Sequence, residues 1–285
     1  MIEFPQIFQL PFAEWVDLAV NWLLANWEPF FNAISSSILY IFLNIERFLT
    51  WLPWFIVTLL TGLIAWRSMR SWWAGLIMTA FLVLIGSLGY WELTMTTLTI
   101  IITAVVISLA FGILLGILIT RSNLVESIIR PGLDAMQSVP SFVYLIPALM
   151  FFGLGIVPAV FATIIYAIPP VIRLTNVGIR QVPKSAIETA QAFGSTGWQI
   201  LLNVQIPIAK PAIMVGINQT TMMALSMAIL ASLIGARGLG LEGLSAIEHG
   251  EIGRSFAAGL SIILLAIVID RITHVLAIRQ QHKIA

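Results

Sequence analysis

Side chains capable of covalent or metal chemistry are scarce in this sequence and badly spaced for it. There is no Cys, which excludes thiolate metal sites, disulfides and a Cys nucleophile, and leaves the redox compartment unread. His249, His274 and His282 lie far apart and near segment ends, so neither a metal cluster nor a catalytic site is expected. No GxxxxGK[ST] phosphate loop occurs anywhere in the chain. Nothing in the apolar runs pairs a nucleophile with a base, as a membrane enzyme would need.

The spacing that does stand out is weaker chemistry, hydrogen bonding and polarizability inside an apolar run. Gln219, Met222, Met223 and Ser226 recur at i, i+3, i+4 and i+7 and so share one helical face. The same uncharged run, 211 to 236, also holds Asn218, Thr220, Thr221, Met214 and Met227. Polar side chains in a lipid-embedded helix turn toward other helices or a cavity. A mildly polar route and plain interhelical hydrogen bonding with Met as packing filler both fit this stripe. Pro140, Pro147, Pro169 and Pro170 in the preceding run are expected to break helices and free carbonyls toward the interior, with or without a functional purpose.

The elements that carry these residues follow from composition. Of 285 residues, 59% are hydrophobic and 9% charged, far below the quarter of charged residues in a soluble domain. With a mean hydropathy of +1.00 the chain is an all-α polytopic membrane protein. A formal net charge of +1 without a basic patch excludes a nucleic-acid partner. The uncharged runs are 48–66, 71–91, 93–120, 135–172, 211–236 and 255–269. The longest contains the turn signal Gly153-Leu-Gly155-Ile-Val-Pro158 and is read as a hairpin of two short spans, giving about seven transmembrane helices. The last must run through Asp270 and Arg271, which then face protein or the interface.

Residues 12–28 set Phe12, Trp15, Leu18, Ala19, Trp22 and Leu23 at helical spacing with Glu14, Asp17 and Asn21 between them, an amphipathic interfacial helix. The stretch 29–45 is apolar but carries Asn32 and Ser35-Ser-Ser37, and an eighth span there stays open. Trp51, Trp54, Trp66, Trp72, Trp73 and Trp91 end proposed spans as an aromatic belt would. MIEFPQIFQL lacks the pattern of a cleaved leader. If the 173–210 loop is cytoplasmic, eleven of fourteen Lys and Arg share its side, leaving Arg47, Arg237 and Arg254 opposite with Glu92, Glu242, Glu248 and Glu251. The positive-inside rule then places the N-terminus outside and the C-terminus, with Lys283, inside.

That loop is too long for a turn and too polar for a span. Within 183–211, Ser185 with Glu188 and Thr196 with Gln199 are both capping-box patterns, Gly194 between them permits a reversal, and Pro207 and Pro211 are expected to stop the second helix. Glu188-Thr-Ala190, three residues, Gly194, nine residues, then Val204-Gln-Ile206-Pro207 resembles the EAA loop of binding-protein-dependent ABC importer permeases, with Thr189, Val204 and Ile206 as size-matched departures. Asp134-Ala-Met-Gln-Ser-Val-Pro140-Ser-Phe-Val-Tyr144-Leu-Ile-Pro147, the segment Gly216–Met227, and Gly235-Ala-Arg-Gly238-Leu-Gly240 are similar to the glycine betaine/proline betaine branch of those permeases. The likeness covers roughly 90–275.

The resemblance implies a type I importer permease in a prokaryotic cell membrane. Its parts would be an N-terminal extracytoplasmic or interfacial segment (1–50), peripheral transmembrane helices (51–91) and a permease core (92–278) whose coupling loop is 183–207. By the same likeness Glu188, Thr189, Ala190, Gly194 and Pro207 couple to the ATPase. The partners it implies are a second copy of the chain, two ATP-binding subunits, an extracytoplasmic substrate-binding protein and membrane lipid. It implies no cofactor in this chain, ATP and Mg belonging to the partner ATPase. The chain would be no enzyme itself but the path for a quaternary ammonium zwitterion, with Gln219, Met222, Met223 and Ser226 along it. Betaines, carnitine and choline stay undistinguished. A self-sufficient carrier or channel for small zwitterions is the alternative, disfavoured because mid-span acids or bases and an inverted repeat are missing from the sequence.

Overall fold

The computed structural model describes residues 10–281, and among them there are helices and turns but no strand. The leader reading at residues 1–9, and His282 and Lys283, lie outside the described residues. In chain order the helices are α1 (Phe12–Trp51), α2 (Trp54–Met69), α3 (Trp72–Ser87), α4 (Trp91–Thr120), α5 (Asn123–Ser138), α6 (Leu145–Phe152) and α7 (Ile156–Arg180), then α8 (Lys184–Ala192), α9 (Gly197–Ile200), α10 (Ile206–Leu230), α11 (Leu239–Glu248) and α12 (Ile252–Gln281).

At about 1.5 Å per residue the 30-residue α4 is about 45 Å long, enough to cross a hydrocarbon core of about 30 Å. It forms the centre with α7 and α10, and small residues decide how close the three come. A Cβ added to Gly116 of α4 would lie 2.6 Å from the Thr175 Cβ and 2.9 Å from the Ile172 carbonyl of α7. On the other side of α7, a Cβ on Gly216 of α10 would meet the Val171 Cα at 3.2 Å. Gly116→Val is therefore expected to destabilise the bundle by about 1–3 kcal/mol through overpacking. A lower midpoint of unfolding in detergent reads it, with Gly132→Val, which meets nothing within 4 Å on α5, as the neutral control.

The runs expected to span fall on α2, α3, α4, α6, α7, α10 and α12. Among the described residues, however, four helical stretches, α4, α7, α9 through α10, and α12, are long and apolar enough to cross alone, or six if the bent pairs α1–α2 and α5–α6 each make one span, against the seven expected. Two differences of form accompany this count. The hairpin in 135–172 is lopsided. Its turn is where the glycines put it, with Gly153 at φ 71° and Gly155 at φ 120°. Its second arm is the full-length α7, which continues through Pro169 and Pro170, while Ser108 of α4 donates across to the Ile164 carbonyl at 3.4 Å. Its first arm, a 3-10 turn (Ser141–Tyr144) and α6, is too short to cross and is joined to α5 through a bend of 111°. Of the four prolines only Pro140 breaks a helix, because Val139 before it is held extended at ψ 131°.

The second difference lies at the N-terminus. Helix α1 does not stop at residue 28 but runs on to Trp51, kinked at Trp27 (φ −120°, ψ 21°) where Pro29 cannot donate to the turn before it. Ile38 and Phe42 of the continuation are buried in the main core, so 29–45 packs against α4, α6 and α7. A bend of 97° at Pro53 then starts α2, which pairs with α3 at the edge of the bundle against α12. Trp51, Trp54, Trp66, Trp72 and Trp73 are exposed near helix ends, whereas Trp91 packs on the core.

Candidate functional site

The two ends of α4 separate two polar regions. Near its C-terminal end the Arg121 guanidinium lies over the Trp198 ring, 5.4 Å from its centre, and so touches the loop between α7 and α10. Near its N-terminal end Tyr90 donates to the Arg254 carbonyl at 3.5 Å, beside α11 and α12. The loop expected to couple and the acids Glu242 and Glu251 therefore sit at opposite ends of the bundle.

The loop itself is a helical knob. Helix α8 ends in a Schellman motif: Gly194 N–H donates to the Gln191 carbonyl at 2.9 Å and Ser195 N–H to the Ala190 carbonyl at 3.0 Å. That geometry needs a left-handed residue, and Gly194 has φ 78°. Glu188 and Thr189 are exposed, and Ala190 is half-buried. The Thr189 hydroxyl donates to the Ser185 carbonyl at 2.7 Å, so it is satisfied within the helix and Thr substitutes for Ala without disturbing α8. Phe193 and Trp198 are 87% and 68% exposed, apolar surface at the tip of a polar knob. Neither was singled out by spacing, since a lone aromatic in a loop carries no periodic signal.

Two expectations for this loop need correction. Thr196 and Gln199 do form a capping box, with Thr196 N–H donating to Gln199 Oε1 at 2.7 Å, but Ser185 and Glu188 do not. Pro183 starts α8 instead, which places Ser185 inside the helix where its hydroxyl cannot cap it. Nor do Pro207 and Pro211 end a helix. Pro207 sits at the start of α10, where a missing N–H costs least, and Pro211 lies one turn further in. A π-turn at Leu201–Gln205, in which Ile206 N–H reaches back to the Leu201 carbonyl, absorbs the mismatch and carries α9 into α10 without a break. Pro207 is exposed on the outer side of this junction.

Helix α10 buries one face and leaves another open. Thr220, Thr221, Ala224, Leu225, Met227 and Ala228 are buried against the bundle. Gln219 and Ser226 are exposed and Met222 and Met223 half-buried, so the stripe lies at and beyond the edge of the chain's own packing. The Ser226 hydroxyl donates to the Met222 carbonyl at 3.1 Å, which leaves the surface polar without charge. Asn218 turns away from it, accepting from the Thr273 hydroxyl of α12 at 2.7 Å.

Charge networks that the sequence left unpaired brace both ends. Arg180 of α7 lies 2.9 Å from Glu126 of α5 and donates to Asn123 Oδ1 at 2.8 Å and Asn176 Oδ1 at 3.1 Å; Arg173 pairs with Asp134. They hold the bent α5 against α7. At the opposite end Arg254 grips both oxygens of Glu242, at 2.6 and 3.0 Å, and Glu251 at 2.9 Å. This guanidinium holds the Glu242 carboxyl below the usual carboxylate range, while burial and the nearby Glu242 push the Tyr90 hydroxyl up. Partners such as Arg254 and Glu242, 12 residues apart, or Arg180 and Glu126, 54 residues apart, obey no spacing rule, so only the folded chain reveals them. Asp270 is half-buried and Arg271 exposed, 3.9 Å apart on α12.

Comparison with known proteins adds three findings. The family model described as "Binding-protein-dependent transport system inner membrane component" matches residues 108–282. Over 276 residues, 94% of this chain and 96% of the relative, it is 44% identical to the glycine betaine/carnitine transport permease protein GbuB of Listeria monocytogenes. It is 39% identical to the glycine betaine transport system permease protein OpuAB of Bacillus subtilis, over 96% of this chain and 97% of that one. Against the glycine betaine/proline betaine permease protein ProW of Escherichia coli, identity is 40% over 93% of this chain and 74% of the relative. In fold it matches a chain of the inward-facing MetNI methionine ABC transporter with a TM-score of 0.57 at 20% identity, covering 65% of this chain and 93% of that one.

Proposed function

We propose, from the premise that this chain belongs to the family of binding-protein-dependent transport system inner membrane components, that it forms the translocation path for glycine betaine and related quaternary ammonium zwitterions. As a member it is a multi-pass membrane subunit, no enzyme itself, working with a separate ATPase and a substrate-binding component. The relatives named for glycine betaine transport support the substrate class.

The observation that carries the reading is the knob of α8 and α9, closed by the Schellman turn at Gly194, with no buried residue in α8 and with Phe193 and Trp198 exposed. It takes up the ATPase, with Glu188, Thr189, Ala190 and Gly194 at the contact and turn and Pro207 at the junction to α10. Two copies of the chain and two ATPase subunits, which bind ATP and Mg, make the working complex. The open stripe on α10 then faces the second copy across the route. The parts 1–50, 51–91 and 92–278 serve as interfacial segment, peripheral helices and permease core. Its N-terminus lies outside and its C-terminus in the cytoplasm, in keeping with the eleven-to-three division of Lys and Arg.

Reconstitution tests the reading. Proteoliposomes holding this chain with its ATPase are expected to take up glycine betaine only with ATP inside and binding protein outside. Uptake by the chain alone would establish the carrier alternative. Reporter fusions at residues 20 and 283 settle orientation, and both termini in the cytoplasm would mean that 29–45 also spans.

A further inference from the structure

The break between α5 and α6 gathers aromatic rings that the reading so far does not use. Pro140 ends the extended link and the 3-10 turn Ser141–Tyr144 follows. Across the break the Tyr144 hydroxyl donates to the Met136 carbonyl, which fixes the ring. That ring stands 5.6 Å from Tyr166 of α7, tilted by 60°. Two tilted rings make a corner, and each face carries the negative side of the ring quadrupole. Phe142 in the same turn is 55% exposed.

The turn that carries Tyr144 packs against α10, the helix that bears the open stripe. It also packs against α7, and Tyr144, Tyr166, Met222 and Met223 all border the main core cluster. The run 135–172 contains no charged residue, so a cation entering there meets no carboxylate on these segments. A primary ammonium or a metal ion would lose its hydrogen bonds or water ligands without replacement. A trimethylammonium group has no N–H to satisfy and spreads its charge over methyl groups, the form that aromatic faces recognise.

We propose that Phe142, Tyr144 and Tyr166 form a transient subsite inside the membrane domain for the quaternary ammonium head of the substrate, reached after release from the binding protein. The proposal rests on the substrate class given under the functional reading. Helix breaks within membrane depth are tolerated where they line a cavity, and this break supplies both the turn and the rings.

The test is a fluorination series in the complete complex of permease, ATPase and binding protein in proteoliposomes, with glycine betaine as the probe. Mono-, di- and trifluorophenylalanine at 142, and at 144 on a Tyr144→Phe background, weaken the ring quadrupole while nearly preserving shape. Uptake at saturating binding protein is expected to fall stepwise, about tenfold across the series, equivalent to about 1.4 kcal/mol. Basal ATP hydrolysis should stay unchanged. Phe142→Trp should keep or raise uptake, since indole is the better cation partner. A flat or rising series at both positions, with the wild type active, overturns the subsite and leaves the importer reading standing. A wild-type complex that takes up no glycine betaine overturns the substrate reading and the subsite with it.

Discussion

Gly194→Val is expected to leave the protein inserted and assembled while cutting substrate-stimulated ATP hydrolysis and uptake by about tenfold or more. Gly194 sits at φ 78° and closes α8 through its bond to the Gln191 carbonyl. A Cβ built there meets nothing within 4 Å, so the penalty comes from backbone conformation and not from a clash. Left-handed conformation costs an L-residue roughly 1–2 kcal/mol, and β-branching adds to it. About 1.4 kcal/mol already shifts the knob tenfold away from this shape. The rest of the molecule feels none of it, since α8 contributes no buried residue. Gly194→Asn, which tolerates the same conformation, should restore most of the activity. ATPase coupling and uptake in Gly194→Val equal to wild type would show that the loop does not transmit the ATPase stroke.

Met222→Lys is expected to abolish uptake while the ATPase and the binding protein still dock. By about 1.5 Å per residue, Met222 lies about 24 Å from the Ile206 end of a helix about 37 Å long, well within membrane depth. A fixed positive charge there costs about 2.5–3.5 kcal/mol on insertion scales and repels the cationic end of a zwitterion. The native stripe offers Gln219, Ser226 and two thioethers, contacts weak enough to be exchanged as a solute moves. Met214→Leu, on another face of α10, should be nearly neutral. Cysteine introduced position by position into a chain with no Cys of its own supplies the independent check. Reagent access at 219, 222, 223 and 226 is expected to change with nucleotide. Protection of all four in every state would make the stripe packing and move the route elsewhere.

Composition and run length determined the class of this protein, because a chain with 9% charged residues cannot solvate a globular surface and a 30-residue, largely apolar helix such as α4 has one comfortable solvent. Local rules also reached the Gly194 reversal, the Thr196–Gln199 capping box and the polar face of α10, since each is set within a turn or two of helix. What local rules assigned wrongly were the choices between competing local solutions. Ser185 could cap only if α8 began there, and Pro183 starts it instead. Pro169, Pro170, Pro207 and Pro211 break helices in water, yet here neighbouring helices and one π-turn hold the backbone helical through them, and the sharp bends come at Pro53 and Pro140. Contacts between distant residues were beyond any spacing rule. The seam of Gly116 on Thr175, the clasp of Arg254 on Glu242 and the corner of Tyr144 and Tyr166 each depend on which helices stack. Tertiary packing decides that stacking, because inside a membrane close van der Waals fit between small residues, and not hydrophobicity, selects one neighbour over another.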